Sequence, residues 1–201
     1  MTKRRLATGL VLPALLAAWP GGCALPLREL PYAVTHEVAR VPSEGMAPTI
    51  KPGDHVAIKV GYYDGRPPQR FDIVAYKHRP ENLAHLEGAD AETVYLARVV
   101  GLGGEKVELR GGKVFVNGRP LDEPFQTAPP GPADRQRDPG RPVVWVPEGE
   151  YLLMGDNRPN SFDGRYWEVP TLPKHYIHGK VVQIFPQQDA AGQAATPRPS
   201  L

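Results

Sequence analysis

The chain has 201 residues, with Lys+Arg 24 against Asp+Glu 22 for a formal charge of +2, and no block of like charge longer than Lys3-Arg4-Arg5. That length suits one domain with a real core, and so balanced a charge argues against a nucleic-acid-binding surface, which usually leaves a domain strongly basic. Pro 24 and Gly 21 make up about 22% of the chain against an average of about 12%, which excludes a helical bundle, and the one cysteine, Cys23, excludes an intramolecular disulfide and any multi-thiolate metal site.

Taken in chain order, the first element is a targeting segment over 1–27. Lys3-Arg4-Arg5 precede an uncharged stretch, LATGLVLPALLAAWPGGCALPL, and a positive flank before an apolar run reads as membrane targeting with the N-terminus inside. The stretch is long enough for a spanning helix, which needs about 20 residues, although Pro13, Pro20 and Gly21-Gly22 weaken its second half. Three readings stay open: an uncleaved anchor, a lipoprotein signal with Cys23 as the lipidated residue, and an ordinary cleaved signal. All three place the rest of the chain on the far side of the membrane. A linker is expected over 28–40 and the folded body over 41–186.

In the body, short apolar runs alternate with Gly and Pro, the pattern of strands and turns. Candidate strands are 55–60, 72–77, 93–102, 106–110, 113–116, 143–146, 151–154 and 180–184. Gly111-Gly112 and Asn117-Gly118 are hairpin signals, the second a favoured type I′ pair. No segment sustains a period of 3.6, so helix should be scarce and the fold class mainly β. Residues 121–147 hold seven prolines and several charges and read as an exposed loop. The tail 187–201 has almost nothing to bury and reads as disordered.

Three strings stand out from this background. The first is Pro42-Ser43-Glu44-Gly45-Met46-Ala47-Pro48-Thr49, a turn-rich segment before a strand. The second, Tyr95-Leu96-Ala97-Arg98-Val99-Val100-Gly101-Leu102-Gly103-Gly104-Glu105, runs from a strand into a glycine turn. The third, Gly155-Asp156-Asn157-Arg158-Pro159-Asn160-Ser161-Phe162-Asp163-Gly164-Arg165-Tyr166-Trp167, has the composition of a loop bonded to itself.

In this order and spacing, with the Val114–Gly118 hairpin and a closing Val169-Pro170…Ile177-His178-Gly179-Lys180 segment, the strings resemble the boxes of the type I signal peptidases, membrane-bound serine proteases of peptidase family S26. The resemblance runs from about Val41 to Pro186 and implies an antiparallel β domain with a peptide cleft, no metal and no organic cofactor. The partners it implies are the membrane and an exported protein or signal-peptide segment.

The same resemblance implies a Ser nucleophile activated by a neutral Lys, and here the chain departs from it. The nucleophile position is Gly45 and the general-base position is Ala97. Glycine has no atom to attack a carbonyl, and alanine has no lone pair to take a proton. Ser43 matches a hydroxyl that helps bind the oxyanion, with Met46 and Pro48 retained beside it. Asp156, Asn157, Arg158, Ser161, Asp163 and Arg165 match the supporting loop, where Asp163 with Arg165, or Asp156 with Arg158, is the expected buried pair. The six histidines, His36, His55, His78, His85, His175 and His178, occupy none of the catalytic positions and read as surface or strand-end residues. The reading is therefore a membrane-tethered homologue that keeps the cleft and has lost hydrolysis. The alternative is an active peptidase with a relocated nucleophile such as Ser43.

Overall fold

Chain segments rich in Val, Ile and Tyr and cut by Gly-containing turns form antiparallel strands, each pairing with partners near in sequence or recruited from far along the chain. The computed structural model describes residues 30–33, 35–83, 92–125, 142–187 and 196–199. The targeting segment 1–27, with Cys23, and most of the Pro-rich loop, 126–141, lie outside them. Among the described residues no helix is long and apolar enough to cross a membrane.

The strands are β1 (Glu37–Arg40), β2 (His55–Val60), β3 (Ile73–Lys77), β4 (Val94–Gly101), β5 (Lys106–Arg110), β6 (Lys113–Val116), β7 (Arg119–Pro120), β8 (Val143–Trp145), β9 (Glu150–Met154), β10 (Thr171–Pro173), β11 (Ile177–Phe185) and β12 (Arg198–Pro199). Among the described residues the two α-helices, α1 (Leu30–Ala33) and α2 (Pro80–Leu83), are one turn each. The larger sheet runs β1-β2-β11-β3-β4-β9-β10, with β12 also on β11, and the smaller runs β7-β6-β5-β8. All the registered pairs are antiparallel. Both hairpin signals act as expected: Gly111-Gly112 turns β5 into β6 and Asn117-Gly118 turns β6 into β7, each residue at positive φ, the backbone a type I′ turn requires.

The larger sheet is covered on both faces, which explains why β3 and β4 read as near-continuous apolar runs and not as alternating ones. Ile73 and Ala75 of β3 pack with Met46, Ile50, Val56 and Ile58, while Val74 and Tyr76 pack the other way with Ala97, Leu153 and Trp167. Where the smaller sheet meets the larger, Val107, Val114 and Val144 pack on Val100, Leu152 and Met154.

Two expectations are corrected by pairing. Residues 28–40, read as a linker, contain β1, which lies along β2 with Val38 opposite Ala57 and 3% exposed. The tail 187–201, read as disordered, contains β12. Strand β3 pairs only with Ile177, Gly179 and Lys180 of β11, so the far end of β11 is left open, and Gln183 and Ile184 pair there with Pro199 and Arg198. The Arg198 guanidinium also donates to the Thr49 carbonyl at 2.8 Å.

Candidate functional site

The first and third strings meet at one end of the larger sheet. Strand β1 leads directly into the 41–45 turn, and β9 leads into the 155–165 loop. Two bonds staple them together: the Asn157 N–H donates to the Gly45 carbonyl at 3.1 Å, and the Asn157 side-chain amide donates to the Glu44 carbonyl at 3.0 Å. Gly155 has to be glycine here, because a Cβ on it would lie 2.5 Å from the Gly45 carbonyl and 2.1 Å from Ser161 Oγ, so no side chain fits at the crossing.

Behind the staple the loop is wired through Asp163, which is 1% exposed. Its carboxylate accepts from Ser161 Oγ at 2.8 Å, the Gly155 N–H at 2.8 Å, the Arg165 N–H at 3.2 Å and the Arg165 guanidinium at 2.8 and 2.9 Å. Arg165 also donates to the Arg158 carbonyl at 2.8 Å. The Asp163–Arg165 pair is as the sequence suggested. Asp156 and Arg158, however, do not pair with each other. Asp156 takes a bidentate bond from Arg98 of β4 at 2.8 and 2.6 Å, and Arg158 pairs with Glu123. Arg158 begins the 3-10 turn 158–160, and each of the two charges finds its partner on another segment.

A cleft of about 420 Å³ opens beside this loop. One wall is β1 and the 41–45 turn, with Ser43 and Gly45. The floor holds Val56, Ile58, Val94 and Leu96, and the rim includes Asn160, Ser161 and Phe162. Met46 does not line it and is 2% exposed in the core; Pro48 is exposed outside it. Ala97 does not line it and is 1% exposed in the cluster with Tyr76 and Trp167. Lys77 and Lys180 do not line the cleft and pair with Glu92 and Asp72.

The cleft also contains an unexpected buried histidine. His78 is 3% exposed, boxed by the rings of Tyr76, Tyr95 and Trp167 at centroid distances of 5.2, 4.6 and 4.9 Å, and its Nδ1 has no hydrogen-bond partner. Sequence reasoning missed it because a single histidine between Lys77 and Arg79 has the look of a surface residue, and the rings that bury it come from distant segments. Burial pushes its pKa down from 6.5 to about 4. The unfolded chain therefore takes up this proton first, so the associated stability is complete above pH 6.5 and is lost as pH falls toward 4. In urea titrations, His78→Phe should remove about 3 kcal/mol of the stability that the unmodified chain loses across that window.

Among the described residues lining the cleft, no hydroxyl is hydrogen-bonded to a lysine or histidine: Ser161 donates to Asp163, and Ser43 has no partner. An imidazole held neutral to about pH 4 is a weak base, because general-base catalysis is most effective with a pKa near the working pH.

A model of the family described as signal peptidase, peptidase S26, matches residues 23–186 of the chain. A signal peptidase I of Leptolyngbya laminosa is 33% identical over 161 residues, covering 80% of this chain and 74% of its own. A probable signal peptidase I-1 of Synechocystis is 36% identical over 147 residues, 73% of this chain and 69% of its own. A solved signal peptidase I structure from Enterococcus faecalis is 28% identical, with a TM-score of 0.40, and spans 58% of this chain and 97% of that one.

Proposed function

This chain belongs to the signal peptidase, peptidase S26, family, and we propose that within it the protein is a catalytically silent member: a membrane-tethered, extracytoplasmic domain that binds segments of exported proteins without cutting them. The observation that carries this reading is the contrast between an intact support and missing chemistry. The Ser161–Asp163–Arg165 wiring and the Asn157 staple to Glu44 and Gly45 are present, yet the two positions where the family resemblance puts nucleophile and base hold Gly45 and Ala97. The charge-free stretch behind Lys3-Arg4-Arg5 supports the tether and the side of the membrane.

Binding is supported by the shape of the cleft wall. Among the described residues strand β1 is the last strand at its end of the larger sheet and pairs on one side only, so its outer backbone edge offers donors and acceptors to an extended peptide, the mode of β-strand addition. Apolar side chains of the floor receive alternate residues of such a strand.

The test is a paired assay on the full chain. A labelled signal-peptide substrate should bind with measurable affinity while no cleavage product accumulates above the no-protein control. Turnover that disappears in Ser43→Ala would overturn the silent reading in favour of a relocated nucleophile.

A further inference from the structure

Along the cleft, β4 has an unused backbone edge. Strand β9 pairs with β4 only at Arg98, Val99 and Gly101, so among the described residues 94–97 are paired on the β3 side alone. The cleft turns around this edge and is lined from both faces of the strand, by Val94 and Leu96 on the side of the floor and by Tyr76, His78 and Tyr95 on the other. An extended guest lying along the edge sends successive side chains to the two sides in turn.

The side away from the floor holds an unspent hydrogen-bonding group. His78 packs among the rings of Tyr76, Tyr95 and Trp167. Its Nδ1 is sealed in without a partner, while Nε2 is not closed off and makes no hydrogen bond among the described residues. Most buried polar side-chain atoms in folded proteins have a partner, so an imidazole idle at both nitrogens on the wall of a cleft suits a group that arrives with the guest.

The surroundings select that group. Tyr76 and Tyr95, with Phe162 at the rim stacked on Tyr166 at 6.2 Å, make the wall aromatic, and a cleft of about 420 Å³ has room for a ring. A charged guest finds no counter-charge beside His78. Burial keeps the imidazole itself neutral down to about pH 4, and Glu37 is paired with His178 at 2.8 Å. Arg40, next to Ala39 on β1, faces the opposite way from it, and Glu44 belongs to the Gly45 end of the cleft. The side chain that fits is uncharged and aromatic and carries a hydrogen-bonding group at its tip.

We propose that this side of the cleft is a tyrosine subsite: a bound peptide places a tyrosine ring against Tyr76 and Tyr95, its hydroxyl hydrogen-bonded to His78 Nε2, while the residues before and after it face the apolar floor. The inference rests on the peptide-binding reading above and adds a sequence preference to it.

The test is fluorescence anisotropy with full-length protein in detergent at pH 7. The probes are labelled, end-capped peptides Gly-Val-Xaa-Val-Gly in which Xaa is Tyr, Phe, Ser, Glu or Lys. The Tyr peptide should bind about ten-fold more tightly than the Phe peptide, the scale of one hydrogen bond, and the Ser peptide should bind more weakly than both. His78→Phe should bring the Tyr-to-Phe ratio to about one and leave the Phe peptide within about two-fold of its affinity for the unmodified chain. A second measurement needs no variant: in nitrogen spectra of the histidine rings, His78 Nε2 should shift with the Tyr peptide and not with the Phe peptide. Equal affinity for Tyr and Phe, tightest binding of the Glu or Lys peptide, a ratio unchanged in His78→Phe, or an Nε2 signal indifferent to the Tyr peptide overturns the tyrosine subsite while peptide binding stands. Binding of none of the five peptides overturns the peptide-binding reading together with it.

Discussion

Installing both missing groups, Gly45→Ser with Ala97→Lys, should turn on cleavage of a signal-peptide substrate by at least about 10³-fold over the unmodified chain, whereas either substitution alone should leave it silent. A nucleophile without its base, or a base without its nucleophile, loses nearly as much as the whole unit. The two positions differ in how easily they accept the change. Gly45 is outside the positive-φ region, and a Cβ there makes an ordinary contact 3.9 Å from Ser161 Oγ. Serine should therefore fit with a stability change within about 0.5 kcal/mol.

Ala97 is harder to replace. It is 1% exposed, packed with Tyr76, Val99 and Trp167, so a lysine stem there must push aside close-packed rings, at a cost of about 1–3 kcal/mol. Burial that opposes the substitution also favours its chemistry, because a desolvated ammonium loses its proton more readily and becomes a base near neutral pH. The assay should accordingly be run well below the melting temperature, with the product mapped by mass spectrometry. If the double variant stays folded and binds peptide but cuts nothing, the loss of catalysis extends beyond these two side chains.

The strands were legible in the sequence where the signal was local. Strands β2, β5 and β6 have the bounds that the apolar runs gave, and the Gly111-Gly112 turn sits between two of them, whereas the two-residue β7 that Asn117-Gly118 leads into was too short to show as a run. What escaped was made by distant pairing. Glu37–Arg40 is too short to show an alternation, and its strand character comes from β2 alongside it. The break expected before Lys180 does not occur. Gly179 lies inside β11, and a Cβ there would meet the Lys59 carbonyl at 2.5 Å, so the glycine allows close strand approach where it read as an end. The site divides the same way. The same spacing of two offered both Asp163–Arg165 and Asp156–Arg158, and only the first is a pair; the partners of Asp156 and Arg158 are 58 and 35 residues away, beyond the reach of any local pattern.

The second large effect follows from one of those distant pairs. Arg98→Met should destabilise the fold by about 3–5 kcal/mol, a large part of the 5–15 kcal/mol that typically separates folded from unfolded. Both side chains of the Arg98–Asp156 pair are 0% exposed. Arg98 also donates to the Phe71 carbonyl at 2.8 Å, and its guanidinium lies 3.9 Å over the Phe125 ring. Asp156 accepts bonds only from Arg98 among the described residues. Removing the cation therefore strands a carboxylate in the core, and that uncompensated charge is the larger part of the loss. Taking away both charges, as Arg98→Met with Asp156→Leu, should recover most of it and leave about 1–2 kcal/mol for the unsatisfied Phe71 carbonyl. Urea midpoints of the two single variants and the double give the coupling directly; equal losses in Arg98→Met and the double variant would mean that the stranded charge is not what is costly. The pair also reaches the cleft, because Asp156 lies between Gly155, which admits no side chain at the crossing, and Asn157, which holds the Gly45 carbonyl. Peptide affinity should accordingly fall in Arg98→Met even at temperatures where the chain stays folded, since the Arg98 guanidinium is one of the ties, with the Gly164 N–H on the Leu153 carbonyl, that hold to the sheet the loop shaping the Gly45 end of the cleft.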